Sequence, residues 1–403
     1  MSRGLQIEST RTTAEDGAAG LESPARVDAI ILAGTHGNAP FCIEDQDRFK
    51  PFLLLGGKTL VCSVTECVLG SERVGRVYVV GNVPLLEHAL APLMEAFRGR
   101  LRVVAEGVDI LENCYRAFFL HLLADRTGVA AEALGAAPAF DPLAVAICQK
   151  NHPELADLPA LILTCDLPFL TPEAVTRFLA DAPTHAALCM GVVDHHKLEQ
   201  LTSLFDKGDF LERWKLGALH LDNLSIRLAN MFLVRPLRAK SVLYSLLSRV
   251  YAHRYLLRQD GSLQWANWWI IAASAVWYSM RVGGVLRFLR AFINFVPAVL
   301  AVGLARLTHR LSPHLSWPFR KLLGHRDMEF VCSLLVGVPA VLVVGEDPGP
   351  AIDIDLEEVY LSLARDDEQD YRCIKGFLGK WNRVRNGEFR ELKAPGSQAA
   401  RGR

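Results

Sequence analysis

From Val27 to about Val193, short apolar runs alternate with stretches of helix length. The runs Val27–Ala33, Val74–Val80, Leu101–Ala105, Ala160–Thr164 and Ala186–Val193 predict strands. Brief, near-continuous apolar stretches suit strands covered on both faces. Between them, Lys58–Leu69, Leu85–Phe97, Ile110–Leu123 and Pro172–Ala180 predict helices. The last carries its own start signal, with Thr171 as N-cap, Pro172 at the first helical position and Glu173 in the first turn. Alternating strand and helix predict an α/β fold with a mostly parallel sheet and helices on both faces. Gly128–Asp141, rich in Ala and Gly, reads as a surface insertion of no catalytic interest.

The alternation stops after Val193. Asp194–Asn230 reads as polar and irregular, with His195 and His196 as loop residues, and Arg238–Arg254 has the pattern of an amphipathic helix. Gly261–Arg326 contains no Asp or Glu, yet holds Arg281, Arg287, Arg290, Arg306, Arg310, Arg320, Lys321 and Arg326, together with Trp265, Trp268, Trp269, Trp277 and Trp317. Its apolar stretches, Trp268–Met280 and Ala291–Ala305, fall short of the roughly 18–20 residues a spanning helix needs. An α/β pattern returns at Pro339–Val344, a strand, followed by Ala351–Asp355 and a helix over Leu356–Ala364. The resulting division is a disordered leader (1–26), a core (27–236), a helical basic insertion (237–330), a return to the core (331–386) and a disordered tail (387–403).

At 403 residues with 44 basic and 44 acidic side chains, the chain has room for a sizeable core and no bulk field directed at nucleic acid. Its nine cysteines are scattered without a CxxC pair. That spacing argues for a reducing, cytoplasmic compartment, against a disulfide framework and against a zinc site. Met1–Arg26 lacks the apolar segment of a secretory signal.

Two segments concentrate the chemistry. Ala29–Phe52 reads AIILAGTHGNAPFCIEDQDRFKPF, an apolar strand, a glycine-containing loop and a lysine before proline. Glycine allows close backbone approach to a ligand, free N–H groups form an anion nest, and a lysine supplies a mobile charge for phosphate. An ordinary strand-to-helix loop has the same glycine content, and neither the Walker nor the dinucleotide spacing is present. Leu161–Thr171 reads LILTCDLPFLT, a buried strand that delivers Asp166 to its carboxyl end, the edge where open α/β sheets bind ligands. A buried carboxylate there needs a counter-charge or a metal, though capping of a neighbouring helix is the competing role. In Ala351–Glu358, alternation places Asp353 and Asp355 on one side of a short strand, facing either a metal or solvent.

The order ILAG, Lys50-Pro51 running into FLLLGGKTLV, LTCDLPFLTPEAV and AIDIDLEEVY resembles nucleotidyltransferases similar to molybdenum-cofactor guanylyltransferase. The resemblance covers Val27–Val193 and returns at about Pro339–Ala364. It implies a Rossmann-like core of the nucleotide-diphospho-sugar transferase kind, related to A-type glycosyltransferases. It implies nucleotide contacts at Ala33, Gly34, Thr35, Gly37 and Lys50, magnesium on Asp166 and on Asp355 or its neighbour Asp353, and base or acceptor contacts at Glu106 and Asn113. An amphipathic helix start explains Glu106–Asn113 equally well. Asn230, in RLANMFLVRP just before a candidate strand, is placed to line an acceptor pocket. Two departures stand out: Thr35-His36-Gly37-Asn38 replaces a second glycine and an arginine in the loop, and Leu356-Glu357-Glu358-Val359 replaces a TPED-like helix start.

The implied activity is magnesium-dependent transfer of a nucleoside monophosphate from a nucleoside triphosphate to an acceptor phosphate or hydroxyl, releasing pyrophosphate. A glycosyltransferase using a nucleotide sugar is the alternative on the same fold, disfavoured because Thr164-Cys165-Asp166 stands where such enzymes carry Asp-x-Asp. An inactive membrane-associated binding module is another. The basic, Trp-rich insertion predicts peripheral contact with an anionic membrane at its inner face, with a buried helical subdomain as the competing reading.

Overall fold

The computed structural model describes residues 26–35, 40–43, 46–203, 219–222, 224–239, 243–244, scattered positions between 270 and 293, 324–364 and 368–385. The leader, the tail, nearly all of the basic insertion and most of Arg238–Arg254 lie outside the described residues, as do His36 and Gly37.

Six of the anticipated strands form, at β1 (Val27–Ala33), β6 (Val74–Gly81), β7 (Leu101–Ala105), β8 (Ala160–Thr164), β9 (Leu188–Asp194) and β12 (Ala340–Gly345). Small strands β2 (Phe41–Ile43) and β3 (Gln46–Arg48) form one hairpin, and β4 (Leu54–Leu55) and β5 (Lys58–Thr59) another. The main sheet runs β12-β9-β11-β8-β1-β6-β7, with β11 at Ser225–Val234 and β10 (Leu219–His220) paired to it. All neighbours along this path are parallel except β11, which is antiparallel to both β8 and β9. The protein is therefore an α/β protein with a mostly parallel central sheet.

Period-two alternation sorts the sheet residues onto two layers. Ala29, Ile31, Val77, Val79, Leu161 and Leu163 pack on one face, with α1 (Leu60–Gly70), α2 (Val83–Ala96) and α6 (Pro172–Asp181) over them. Ile30, Tyr78 and Val80 join the other layer, with Phe118, Phe119, Leu122 and Val145. The helix starts are local devices: Thr59, Asn82 and Thr171 each accept a hydrogen bond from a backbone N–H in the first turn.

Four expectations change. The helix from Ile110 is α3 (Ile110–Tyr115), then a π-helical stretch Arg116–Leu122, then α4 (Leu123–Thr127). The segment 128–141 is not merely surface: Ala131, Leu134 and Ala136 are buried in the second layer, and Asp141 caps α5 (Pro142–Asn151). Asp194–Asn230 is not irregular, because it holds α7 (His195–Ser203) and most of β11. His195 and His196 thus start a helix rather than sit in a loop. Ala351–Asp355 forms no strand; after a 3-10 turn at Gly349–Ala351 it runs unpaired. The helices Glu357–Ala364 and Gln369–Arg385 follow it.

Candidate active site

Parallel strands bring their carboxyl ends to one edge, and the chemistry-bearing residues gather there. Gly34 follows β1, and a Cβ on it would lie 2.9 Å from Asn113 Nδ2 and 3.0 Å from Glu106 Oε2. Glycine is the residue that this close approach admits. Thr35 donates its backbone N–H to Glu106 Oε2 at 2.5 Å and its hydroxyl to Glu106 Oε1 at 2.7 Å. Asn113 Oδ1 in turn accepts the Gly107 N–H at 2.6 Å. Thr35, Glu106, Gly107 and Asn113 are therefore gathered around Gly34, which directly follows Ala33, the last residue of β1. Within this group, Glu106 and Asn113 hold protein backbone in place.

Glu112 supports the same corner. It accepts from the Val108 N–H at 3.2 Å and from Arg116 Nη2 at 2.6 Å. Burial pushes its carboxyl upward, but the Val108 N–H and the Arg116 guanidinium outweigh burial and hold it below the ordinary range.

Lys50 begins a short 3-10 turn with Pro51 at its start. Its ammonium lies 2.9 Å from Asp355 Oδ1 and 3.5 Å from Asp166 Oδ2. Three segments separated by more than a hundred residues each thus meet at one point. Burial alone would lower the Lys50 ammonium, but Asp166 and Asp355 together raise it above its usual value. Asp166 follows β8, and its backbone carbonyl accepts the Ile354 N–H at 3.1 Å, which ties the carboxyl-terminal segment to the strand end. Burial raises the Asp166 carboxyl, with Lys50 opposing. Its Oδ1 is buried without a hydrogen-bond partner among the described residues.

Asp353 is placed differently. Arg227 Nη2 donates to its Oδ1 and Asn230 Nδ2 to its Oδ2, both at 2.8 Å. Its two oxygens are thus engaged by protein donors, while Asp355 is the largely exposed member of the pair. Arg227 belongs to none of the motifs read from the sequence. The available signal is Arg227 and Asn230 spaced by three in RLANMFLV, which breaks the period of two expected of a strand.

A buried carboxylate oxygen without a partner, beside a second, accessible carboxylate, suits a hard divalent cation, which favours oxygen donors. Among the described residues no group of three or more His, Cys, Asp or Glu side chains is placed to hold a metal ion. Magnesium takes only one or two protein carboxylates, with phosphate oxygens and water completing its shell.

No known family model and no curated protein matches the chain. Among solved structures, it is similar to a hypothetical transferase from Thermus thermophilus, 19% identical with a TM-score of 0.45, over 83% of this chain and 99% of that one. It is also similar to a 4-diphosphocytidyl-2C-methyl-D-erythritol synthase from Anaerococcus prevotii, 10% identical with a TM-score of 0.37, over 88% of this chain and 96% of that one. A nucleotidyl transferase from Methanothermobacter matches at 14% identity and a TM-score of 0.35, over 86% of this chain and 98% of that one. At such identities and superpositions, function has to be read from this chain's own residues.

Proposed function

We propose that the protein is a magnesium-dependent nucleotidyltransferase that moves a nucleoside monophosphate from a nucleoside triphosphate to a phosphorylated or hydroxylated acceptor. The carrying observation is the meeting of Lys50, Asp166 and Asp355 at the carboxyl edge of the sheet. Beside it, the Gly34–Thr35 backbone is held by Glu106. In the reaction, an acceptor oxygen bonds to the α-phosphorus as the bridge to the β-phosphate breaks, and the electron pair leaves with pyrophosphate. No covalent bond to protein is needed, so positioning and charge compensation supply the catalysis.

Asp166 and Asp355 are the residues to hold magnesium, which when bound neutralises charge on the phosphates. Lys50 is already charged and already at the site. Its flexible stem lets it turn from the carboxylates to the leaving pyrophosphate, where a charge-assisted hydrogen bond is among the stronger polar contacts. Glu106 fixes the Thr35 backbone after Gly34, and Asn113 fixes the Gly107 N–H that follows Glu106. Among the described helices none is long and apolar enough to cross a membrane. The acid-free segment 261–326 is proposed to rest on an anionic membrane surface. Vesicle co-sedimentation that rises with anionic lipid and falls with salt supports this, whereas a supernatant protein at every composition removes it.

The direct test of the activity is thermal unfolding with each of four nucleoside triphosphates, with and without magnesium. A ligand of the folded state raises the midpoint with concentration. One triphosphate is expected to do so in a magnesium-dependent way, and pyrophosphate release follows once an acceptor is supplied. No shift with any of the four sinks the reading.

A further inference from the structure

Asn230 has a left-handed backbone, φ 49°, inside a strand. It sits where the pairing of β11 with β9 slips between Leu228 and Phe232. Such a conformation is costly for a side-chain-bearing residue, and asparagine bears it better than most. Bulges of this kind re-aim side chains. In an unbroken strand, residues three apart point to opposite faces. Here Arg227 and Asn230 reach the same carboxylate, that of Asp353.

The clamp has further anchors. Arg227 Nε donates to the Ala351 carbonyl at 2.6 Å. Ile352 and Ile354 are fully buried, and the Ile354 N–H bonds the Asp166 carbonyl. A segment with no sheet partners is thereby fixed along its length, and the next side chain it delivers is Asp355, 2.9 Å from Lys50. Strain is retained where surrounding structure over-determines it, and the sites that do so are commonly functional.

We propose that Arg227 and Asn230 are positioning residues: by clamping Asp353 across the bulge they set Asp355 opposite Asp166 and tune that carboxylate pair for a divalent cation. The metal part rests on the nucleotidyltransferase reading; the clamp rests on the geometry. Partners that orient a metal site from outside its ligands change affinity by about 10–100-fold when lost.

The test uses the full chain without nucleotide and Mn2+ as the probe, with free Mn2+ read by electron paramagnetic resonance and unfolding midpoints measured metal-free. Asn230→Gly removes the amide while keeping a permissive backbone, and is expected to weaken Mn2+ about tenfold. Asn230→Asp opposes Asp353 with like charge and is expected to weaken it further and to lower the midpoint. Combining Asn230→Asp with Asp353→Asn re-forms the hydrogen bond with donor and acceptor exchanged, and is expected to recover most of both losses. An Asn230→Gly variant that binds Mn2+ as well as wild type, or a combined variant no better than Asn230→Asp alone, overturns the proposal. A combined variant that regains its midpoint in a protein whose wild type binds no Mn2+ upholds the clamp and overturns the metal reading instead.

Discussion

Asp28, buried in β1, and Asp166, part-buried just past the end of neighbouring β8, stand at opposite edges of one sheet, and the fold treats them in opposite ways. Asp28, at the amino edge, accepts from Arg126 Nε at 2.6 Å, from Arg126 Nη2 at 2.8 Å and from the Arg76 backbone N–H at 2.8 Å. Next to it, Asp125 accepts from Arg102 at 3.1 Å and from the Tyr78 hydroxyl at 2.9 Å. Asp166, at the carboxyl edge, has a lysine at 3.5 Å, an oxygen without a partner among the described residues, and a carboxyl that burial raises. A fully bonded buried charge is architecture. An under-compensated one, at the edge where parallel sheets bind ligands, is what the proposed magnesium site calls for.

The largest effect expected from breaking this contrast is on turnover. Asp166→Asn should lower the rate of pyrophosphate release by at least about 100-fold, roughly 3 kcal/mol of transition-state stabilisation. Stability should move the other way. A carboxyl raised in the fold binds its proton more tightly when folded, so its charge counts against stability at neutral pH. The metal-free midpoint should therefore hold or rise, and a marked fall would place Asp166 with Asp28 as architecture.

Arg126→Met is the mirror experiment. It strands the Asp28 charge, and urea unfolding should show a loss of about 2–3 kcal/mol, discounted from the roughly 3–5 kcal/mol of a fully buried pair because Arg126 is itself 38% exposed. The triphosphate KM of the folded protein should not change. A KM effect without a stability loss would mean that the amino edge, too, serves the ligand.

Lys50→Ala sharpens the comparison at smaller scale. Loss of one charge-assisted phosphate contact should cost about tenfold in kcat/KM, about 1.4 kcal/mol, divided between a higher KM and a lower kcat. Unchanged steady-state kinetics would leave Lys50 as a counter-ion to the two carboxylates and nothing more.

The smallest effect concerns acid stability. Glu112 is held below its ordinary value of 4.5, so its contribution is present above that value and is lost as pH falls through the depressed one. Glu112→Gln should flatten the acid limb of the unfolding curve below about pH 4.5 and leave the limb above neutrality unchanged. An identical acid limb in both proteins would show that Arg116 and Val108 contribute nothing to its ionisation.

What the sequence by itself determined is local. Buried parallel strands announce themselves as short apolar runs, and β1, β7 and β8 begin and end where those runs do. Helix starts are legible because a cap needs only a side-chain oxygen two or three residues from an N–H, as at Thr171. Only the part of strand β11 past Asn230 was legible, because its bulge breaks the period of two: the buried positions run Ile226, Ala229, Met231 and Leu233. That it pairs antiparallel between β8 and β9 depends on contacts between distant segments, which no window of sequence contains.

The candidate site divides in the same way. Asp166 could be singled out because a charge at the end of an apolar strand is conspicuous within a dozen residues. That Glu106 grips Thr35 and that Lys50 stands between Asp166 and Asp355 were decided by the fold, which closes chain separations of 71 and 305 residues. That Asp353 answers to Arg227 and Asn230 was decided there too. Residue type and strand periodicity specify which edge each side chain can reach. Which carboxylate is held by several donors and which keeps an oxygen without one depends on what the packed sheet brings within hydrogen-bonding distance, and those distances exist only once distant segments have packed together.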